Sequence, residues 1–420
     1  MMDVPYINSR IEAQQEKLFQ SLSKLIQINS ENFGAYGKEE ECARYLAQCC
    51  EKLGLETDFY SPMDLPDFEK NPDYMEGRNL ENRYNVTARW KGSENADGLM
   101  LMGHSDTVPI GDPANWTVDP LGGIIKDGKI WGRGACDDKY ALAAALFVIE
   151  LLQEEGFTPK KNLLFTAYSD EEFGGSHGAL AACLRYPCDR ILNMDGRFEY
   201  LWHCASGGCV VSYKFHTVGT AASAEYAAAA IPVVMDTLKI FGNKRYTELS
   251  QNPYYMGSNI PQASMRYMGV KAGNGGSDLG SGQVDFAFYT DKSKEEIFEE
   301  FEHLNQILSE KLKPRGIVSD GFTPTTRFFH YVYSAPDCQT IREMCEAAEE
   351  AVGQAPVVCG SCLSDLSVIL KYGSEHAFAL GAGRDFSLPG GAHQPDEFIE
   401  CRRLVEYAKV LAAYILKTLG

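Results

Sequence analysis

His104 and Asp106 stand two residues apart where a short apolar run, Leu99-Met-Leu-Met102, stops at Gly103. A run of this length bounded by glycines reads as a buried strand, and residues two apart on an extended backbone face the same way. Ligands of open α/β sheets sit beyond the carboxyl ends of the strands. His104 is thus placed as a metal ligand. Asp106 is either a second ligand or the carboxylate that holds the other ring nitrogen in the right tautomer. A His that only caps a strand end is the plain alternative.

The same placement recurs along the chain. Gly132-Arg-Gly-Ala-Cys-Asp-Asp-Lys139 delivers Asp137 and Asp138 just before an Ala- and Leu-rich helix, Tyr140 to Leu152. The apolar strand Asn162 to Ser169 ends in Asp170-Glu171-Glu172, Arg190 to Met194 ends in Asp195, and a loop from Pro389 to Glu397 offers His393. One acid at a strand end is ordinary. Carboxylates gathered at one sheet edge repel unless a cation or protons compensate them, so the recurrence points to a metal site. The glycines ahead of the Tyr140 helix lack the Gly-Lys-Ser/Thr and Gly-x-Gly-x-x-Gly patterns of a phosphate cradle.

The elements that must position these residues are strands alternating with helices, which implies an α/β fold with a mixed, mostly parallel sheet flanked by helices. Residues 12 to 28 and 39 to 53 carry apolar stripes at helical spacing. Ser61 to Arg83 reads as a long surface loop, Asn85 to Trp90 as a strand, and Ile124 to Trp131 as a hairpin around Asp127-Gly128. From about Cys209 the pattern changes to strand, helix (Ser223 to Phe241), strands (Ala263 to Val270, Val284 to Tyr289), helix (Lys294 to Leu312) and a further strand before Tyr333. The glycine-rich Gly273 to Gly282 reads as a hairpin loop. Cys338 to Val352 and Leu366 to Tyr372 then read as helical and Ala377 to Leu380 as a strand. The division expected is a discontinuous domain, 1–205 and 334–420, interrupted by an α+β insert, 206–333.

With 39 Lys and Arg against 58 Asp and Glu in 420 residues, the net charge is −19. Such a chain repels nucleic acid and anionic membrane, and neither is expected as a partner. No run approaches the roughly 18 apolar residues of a membrane span, and the early acid Asp3 does not suit a secretory leader, so a cytoplasmic protein is expected. Thirteen scattered cysteines read as reduced thiols. Cys359-Gly-Ser-Cys362 has redox or zinc-knuckle spacing, but no second pair completes a four-ligand site.

Six segments together carry a resemblance: Gly103-His-Ser-Asp-Thr-Val-Pro109, Trp116 to Pro120, Gly128 to Lys139, Ser169-Asp-Glu-Glu-Phe-Gly-Gly175, Asn193-Met-Asp-Gly196 and Gly391-Ala-His-Gln-Pro-Asp-Glu397. In order and spacing they resemble the di-zinc metallopeptidases that include aminoacylase, acetylornithine deacetylase and succinyl-diaminopimelate desuccinylase. The resemblance implies one metal held by His104, Asp137 and Asp195 and a second by Asp137, Glu172 and His393, with Asp137 bridging. It implies Glu171 as general base, Asp106 as the partner that orients His104, a cis peptide after Asp137, and a homodimer formed through the insert, which acts as a lid.

Imidazole and carboxylate suit zinc, with cobalt or manganese as alternatives. Two ions about 3.5–4 Å apart can share a hydroxide while one polarises the scissile carbonyl. The expected activity is a metal-dependent hydrolysis of the amide bond of a small N-acyl amino acid or dipeptide. Alternatives are an amine-recognising exopeptidase, a metal-binding relative that has lost turnover, and a thiol oxidoreductase using Cys359 and Cys362. The insert departs from the family's pattern: Val218 to Glu225 holds no lid His, and the carboxylate-binding segment is not legible between Gly273 and Asp291. His216, His330, Arg266 and Arg327 are the substitutes on offer.

Overall fold

A computed structural model describes residues 3–218, 223–256, 258–273 and 279–420. The chain forms two compact units, Met1–His203 with Tyr333–Cys359 and Val368–Gly420, and Cys204–Val332 with Gly360–Ser367. In chain order the elements are α1 (Val4–Ile26), α2 (Glu40–Lys52), β1 (Glu56–Tyr60), β2 (Asn85–Trp90), β3 (Asp97–His104), β4 (Ile124–Lys126), β5 (Lys129–Trp131), α3 (Lys139–Glu154), β6 (Asn162–Tyr168), α4 (His177–Arg185), β7 (Arg190–Asn193) and β8 (Tyr200–Ala205). There follow β9 (Gly207–Thr217), α5 (Ala224–Gln251), β10 (Met265–Ala272), β11 (Ser281–Thr290), α6 (Lys294–Leu312), β12 (Ile317–Pro324) and β13 (Val332–Tyr333). The chain ends with α7 (Gln339–Val352), β14 (Val357–Gly360), α8 (Leu366–Val368), β15 (Ala377–Ala379), β16 (Phe398–Glu400) and α9 (Cys401–Leu419).

The first unit is a mixed sheet flanked by helices, in the order β1-β2-β6-β3-β7-β15-β8. Its centre, β6-β3-β7-β15, is parallel, while β1 and β2 add antiparallel pairs at one edge. Leu99 to Met102 of β3 are completely buried, as are Leu163 to Phe165 of β6. Strands covered on both faces must be apolar without alternation, which is why these runs are legible in the sequence. Helix α3 is equally apolar, with every residue from Tyr140 to Ala145 at most 1% exposed. It packs with α1 and α9.

The parallel register is what aligns the site. His104 pairs with Tyr168 and Met102 with Asn193. Three strands therefore end together, and the residues just beyond them, Asp106, Asp170 to Glu172 and Asp195, emerge at one sheet edge.

The stretch from Ser61 to Arg83 is not a surface loop throughout. Phe68, Asp73 and Leu80 are buried, and Arg83 is completely so. Composition marks the segment as irregular, but tertiary partners decide that its charged end goes inside.

The second unit stacks α5 and α6 on a four-stranded antiparallel sheet, β10-β11-β9-β12. Helix α5 runs ten residues past Phe241, the end expected from the sequence. Phe241, Arg245 and Leu249 continue the buried stripe at every fourth position. Gly242 lies where a Cβ would come 3.0 Å from the Met265 sulfur, so it serves a close approach of helix and strand instead of a helix end. Residues 219–222 and 274–278 lie outside those described, and with them parts of Val218 to Glu225 and of the expected hairpin loop Gly273 to Gly282.

Leu101, fully buried in β3 between β6 and β7, tests how much the central strand contributes. Leu101→Ala is expected to lower unfolding stability by about 3 kcal/mol in urea titrations, from lost transfer energy plus a residual cavity. A loss below about 1 kcal/mol would show that the neighbouring strands close the gap.

Candidate metal centre

His104 closes β3 with its ring fully buried. Its Nδ1 lies 2.9 Å from the Asp106 backbone carbonyl and 3.6 Å from the Asp106 carboxylate. A carbonyl only accepts, so Nδ1 carries the hydrogen. The neutral ring then turns the lone pair of Nε2 toward Asp137 Oδ1, 3.2 Å away. On the other side of the same carboxylate, His393 Nε2 lies 3.1 Å from Asp137 Oδ2 and 2.7 Å from Glu172 Oε2. Ring lone pairs and carboxylate oxygens at these distances need a cation or a proton between them.

The electrostatics say the same. Burial opposes charging His104, yet its hydrogen bonds with Asp106 and Asp137 hold its pKa well above the ordinary value. Burial is likewise outweighed at His393, which Glu172 and Asp137 push up to about 11. Asp137 is itself held below the carboxylate range, against burial, by the two imidazoles. Asp195, beyond β7, is pushed up to about 7 by burial and by the charge of Asp137.

This donor set suits metal ions. His104, Asp137 and Glu172 each offer a ligand atom within 4.8 Å of the others. Ligands on a tetrahedral zinc ion at 2.0–2.1 Å are about 3.3 Å apart, close to the His104–Asp137 and His393–Asp137 separations. The His393 side chain is 36% exposed against 2% for Glu172, so the cluster meets solvent at His393.

Glu171 and Glu172 are adjacent but differently held. Glu172 Oε1 accepts the Val108 amide at 2.9 Å while Oε2 faces His393. The charge of Glu171 is among those raising His104. Asp106 contacts more than His104. The His104 ring N–H goes to its carbonyl, while its carboxylate accepts the backbone amides of Glu171 at 3.0 Å and Glu172 at 3.2 Å and the Asn32 amide at 2.8 Å.

The peptide bond between Asp137 and Asp138 is cis, as the resemblance implies. The His393 loop is tied to the Asp137 segment by a buried pair that the sequence reading did not single out. Glu397 accepts from Arg133 at 2.6 Å and from the Cys136 amide at 2.9 Å, and Asp396 accepts from the Thr117 amide and hydroxyl. Both residues stand inside quoted motifs, but nothing in their spacing pairs them.

Of the substitutes for the missing lid groups, all in the second unit, His216 faces Asp320 at 2.8 Å and Arg266 donates to the Tyr289 hydroxyl at 3.1 Å. The Arg327 guanidinium lies over the Phe329 ring, and His330 packs edge-on against Phe328. Cys359 and Cys362 fall in different units. Burial pushes the Cys359 thiol up to about 11, which leaves little reactive thiolate.

Residues 100–417 match the family described as Peptidase family M20/M25/M40. The chain belongs to this family. A probable carboxypeptidase S-like 2 of Dictyostelium discoideum is 36% identical over 124 residues, 29% of this chain and 23% of that protein. A succinyl-diaminopimelate desuccinylase of Cereibacter sphaeroides is 42% identical over 100 residues, 23% of this chain and 25% of the relative. The matched segments thus span about a quarter of the length of these relatives. The dipeptidase Dug1p of Saccharomyces cerevisiae shares the fold over 99% of this chain and 98% of its own, with a TM-score of 0.74 at 15% identity.

Protonation of the family's acidic cluster should be visible in stability. The Asp195 carboxyl rises from 3.8 to about 7 in the folded chain, so between those values the folded state holds a proton that the unfolded state has lost. His393, raised from 6.5 to about 11, does the same at higher pH. Stability from both groups is full at low pH and falls as pH rises through these windows. Chelator-treated protein is expected to melt lower at about pH 8 than at about pH 5.5, the difference shrinking when zinc is restored. Equal melting temperatures at the two pH values would contradict it.

Proposed function

We propose that the protein is a metal-dependent hydrolase that cleaves the amide bond of a small N-acyl amino acid or dipeptide. The observation that carries this is Asp137, whose two oxygens face His104 and His393 separately, as a carboxylate shared by two ions would. His104, Asp137 and Asp195 would hold one ion, and Asp137, Glu172 and His393 the other; zinc suits these donors, and cobalt or manganese are accepted by similar ones. Two such ions supply Lewis-acid polarisation of a carbonyl and a water acidic enough to lose a proton near neutral pH.

The chain's own residues divide the remaining work. Glu171 acts as general base, taking the proton of the attacking water and passing it to the leaving amine. The Asp106 carbonyl fixes the His104 tautomer so that Nε2 is free to ligate. Asp106, through its carboxylate, sets the backbone from which Glu171 and Glu172 project. The first unit serves as the catalytic domain. The second serves as a lid over the substrate, an assignment that follows the family resemblance.

The second unit also suits pairing with another copy of the chain. Strand β10 is a sheet edge whose Met268 and Val270 are 59% and 50% exposed, and open apolar edges recruit partner strands. Thirteen free cysteines fit a reducing, cytoplasmic setting. Among the described residues no helix is long and apolar enough to cross a membrane.

The test is amine release from a panel of N-acyl amino acids and unblocked dipeptides with zinc or cobalt present. Release from blocked substrates alone identifies a deacylase; release from dipeptides identifies a peptidase that recognises a free amine. Glu171→Gln should lower kcat by about 10²- to 10⁴-fold with two ions still bound by elemental analysis. Unchanged turnover would remove Glu171 from its role, and silence of the unaltered two-metal protein across the panel would overturn the reading. Sedimentation velocity should show a dimer that Met268→Lys converts to monomer.

A further inference from the structure

Asn32 lies in the segment after α1, where it bridges to Gly37, ahead of the segment that matches the family, and is completely buried. Its side-chain amide donates to Asp106 Oδ2 at 2.8 Å and to Asp170 Oδ1 at 3.3 Å. Its amide oxygen accepts from Arg83 Nη2 at 3.0 Å and from the Gly34 backbone at 2.8 Å. Arg83, also completely buried, donates its other terminal nitrogen to Asp170. Asp170 is further held by His177 Nδ1 at 2.6 Å, and its own carbonyl accepts from the Ser176 amide at 2.7 Å.

These contacts enclose two carboxylates that bracket one short segment. Asp170 precedes Glu171 in the chain, in a left-handed conformation at φ +65° that a non-glycine residue keeps only where its surroundings impose it. Asp106 holds the next two backbone amides, of Glu171 and Glu172. Asn32 is the group that touches both. Two buried carboxylates this close are mutually repulsive unless donors lie between them, and Asn32 and Arg83 are those donors.

We propose that Asn32, backed by Arg83, is a positioning residue for the hydrolysis. It fixes Asp106 and Asp170 relative to each other, and through them the backbone that carries Glu171 and Glu172. The Asn32 side chain bonds to Asp106, Asp170, Arg83 and Gly34, and its effect reaches the chemistry through Asp106 and Asp170. This rests on the function proposed above, in which Glu171 is the base and Glu172 a ligand. A shift of about 1 Å in such a group can cost on the order of 10²-fold in rate.

The test pairs kinetics with amide exchange. Asn32→Ala and Asn32→Asp should lower kcat by about 10- to 100-fold with KM changed less than about threefold and two ions retained. Asn32→Asp is expected to be the worse of the two, because it puts a third carboxylate against the first two. Hydrogen exchange followed by mass spectrometry supplies a readout free of turnover. In the unaltered protein the Glu171 and Glu172 amides should exchange slowly. In Asn32→Ala they should exchange faster by on the order of tenfold or more while β6 keeps its protection. Wild-type kcat in both variants, or a loss that matches lost metal ion for ion, would overturn the proposal. So would fast exchange at Glu171 and Glu172 in the unaltered protein, a result that stands even if the variants do not fold. Silence of the unaltered protein on every substrate would instead strike the functional reading, leaving the exchange result to decide whether Asn32 holds this backbone.

Discussion

The constraint on which the site depends is the Asp137 carboxylate between two imidazoles. Because the His104 Nδ1–H is committed to a backbone carbonyl, its Nε2 has no choice of partner: it faces an acceptor and must share a positive charge with it. His393 does the same from the other oxygen, with Glu172 beside it. An arrangement of lone pairs and carboxylates pointed at one another is costly when empty of charge, so the fold around it has to do two things. It has to hold the donors rigidly, and it has to keep surplus acids from adding to the repulsion.

Rigidity comes from buried ion pairs and hydrogen bonds that bind loops to the sheet. Arg133 and Glu397 join the segment carrying Asp137 to the loop carrying His393. Lys139, buried at the start of α3, donates to the Leu25 and Ile28 carbonyls and so fixes the end of α1 against the same turn. Buried charges are expensive unless paired, and here each pair spans segments far apart in sequence. The return for that cost is geometric specificity near the ligands, not net stability.

Surplus charge is managed on the other flank. Glu39 and Asp170 approach Arg83, with Arg78 3.6 Å from Asp170, and Asp106 joins them through the Asn32 side chain. Burial pushes the Glu39 carboxyl well up, and the Asp106 charge adds to this while Arg83 pulls the other way. Asp170 therefore faces two guanidiniums. This balance keeps Asp106 ionised, as its lowered pKa requires: burial raises it, but the His104 and Asn32 contacts outweigh burial.

What was legible in the sequence follows from these physical divisions. Strands such as Leu99–Met102, buried on both faces of a parallel sheet, announce themselves as unbroken apolar runs, and the residues at their ends inherit that clarity. His104 and the acids that follow the strands could be noticed because they stand next to punctuated elements, whereas the choice of Asp137, Glu172 and His393 as candidate ligands came from the family resemblance. The central sheet and its flanking helices were readable for the same reason. Arg83 was not. It ends a stretch rich in Pro, Asp and Asn, where composition speaks of solvent, and only the position of Asp170 across the fold brings it inside. Asn32 left no signal either, since an amide in an irregular segment looks alike whether it meets water or two carboxylates. The part of Asp106 was legible only by type: a carboxylate near His104 was expected to orient the ring, and nothing in the sequence shows that it also accepts the amides of the turn that follows β6. Local periodicity reports burial, whereas the partners of a buried polar group are set by topology. In this chain the strands that lead to the candidate ligands fall under the first rule and the groups that hold the intervening turns fall under the second.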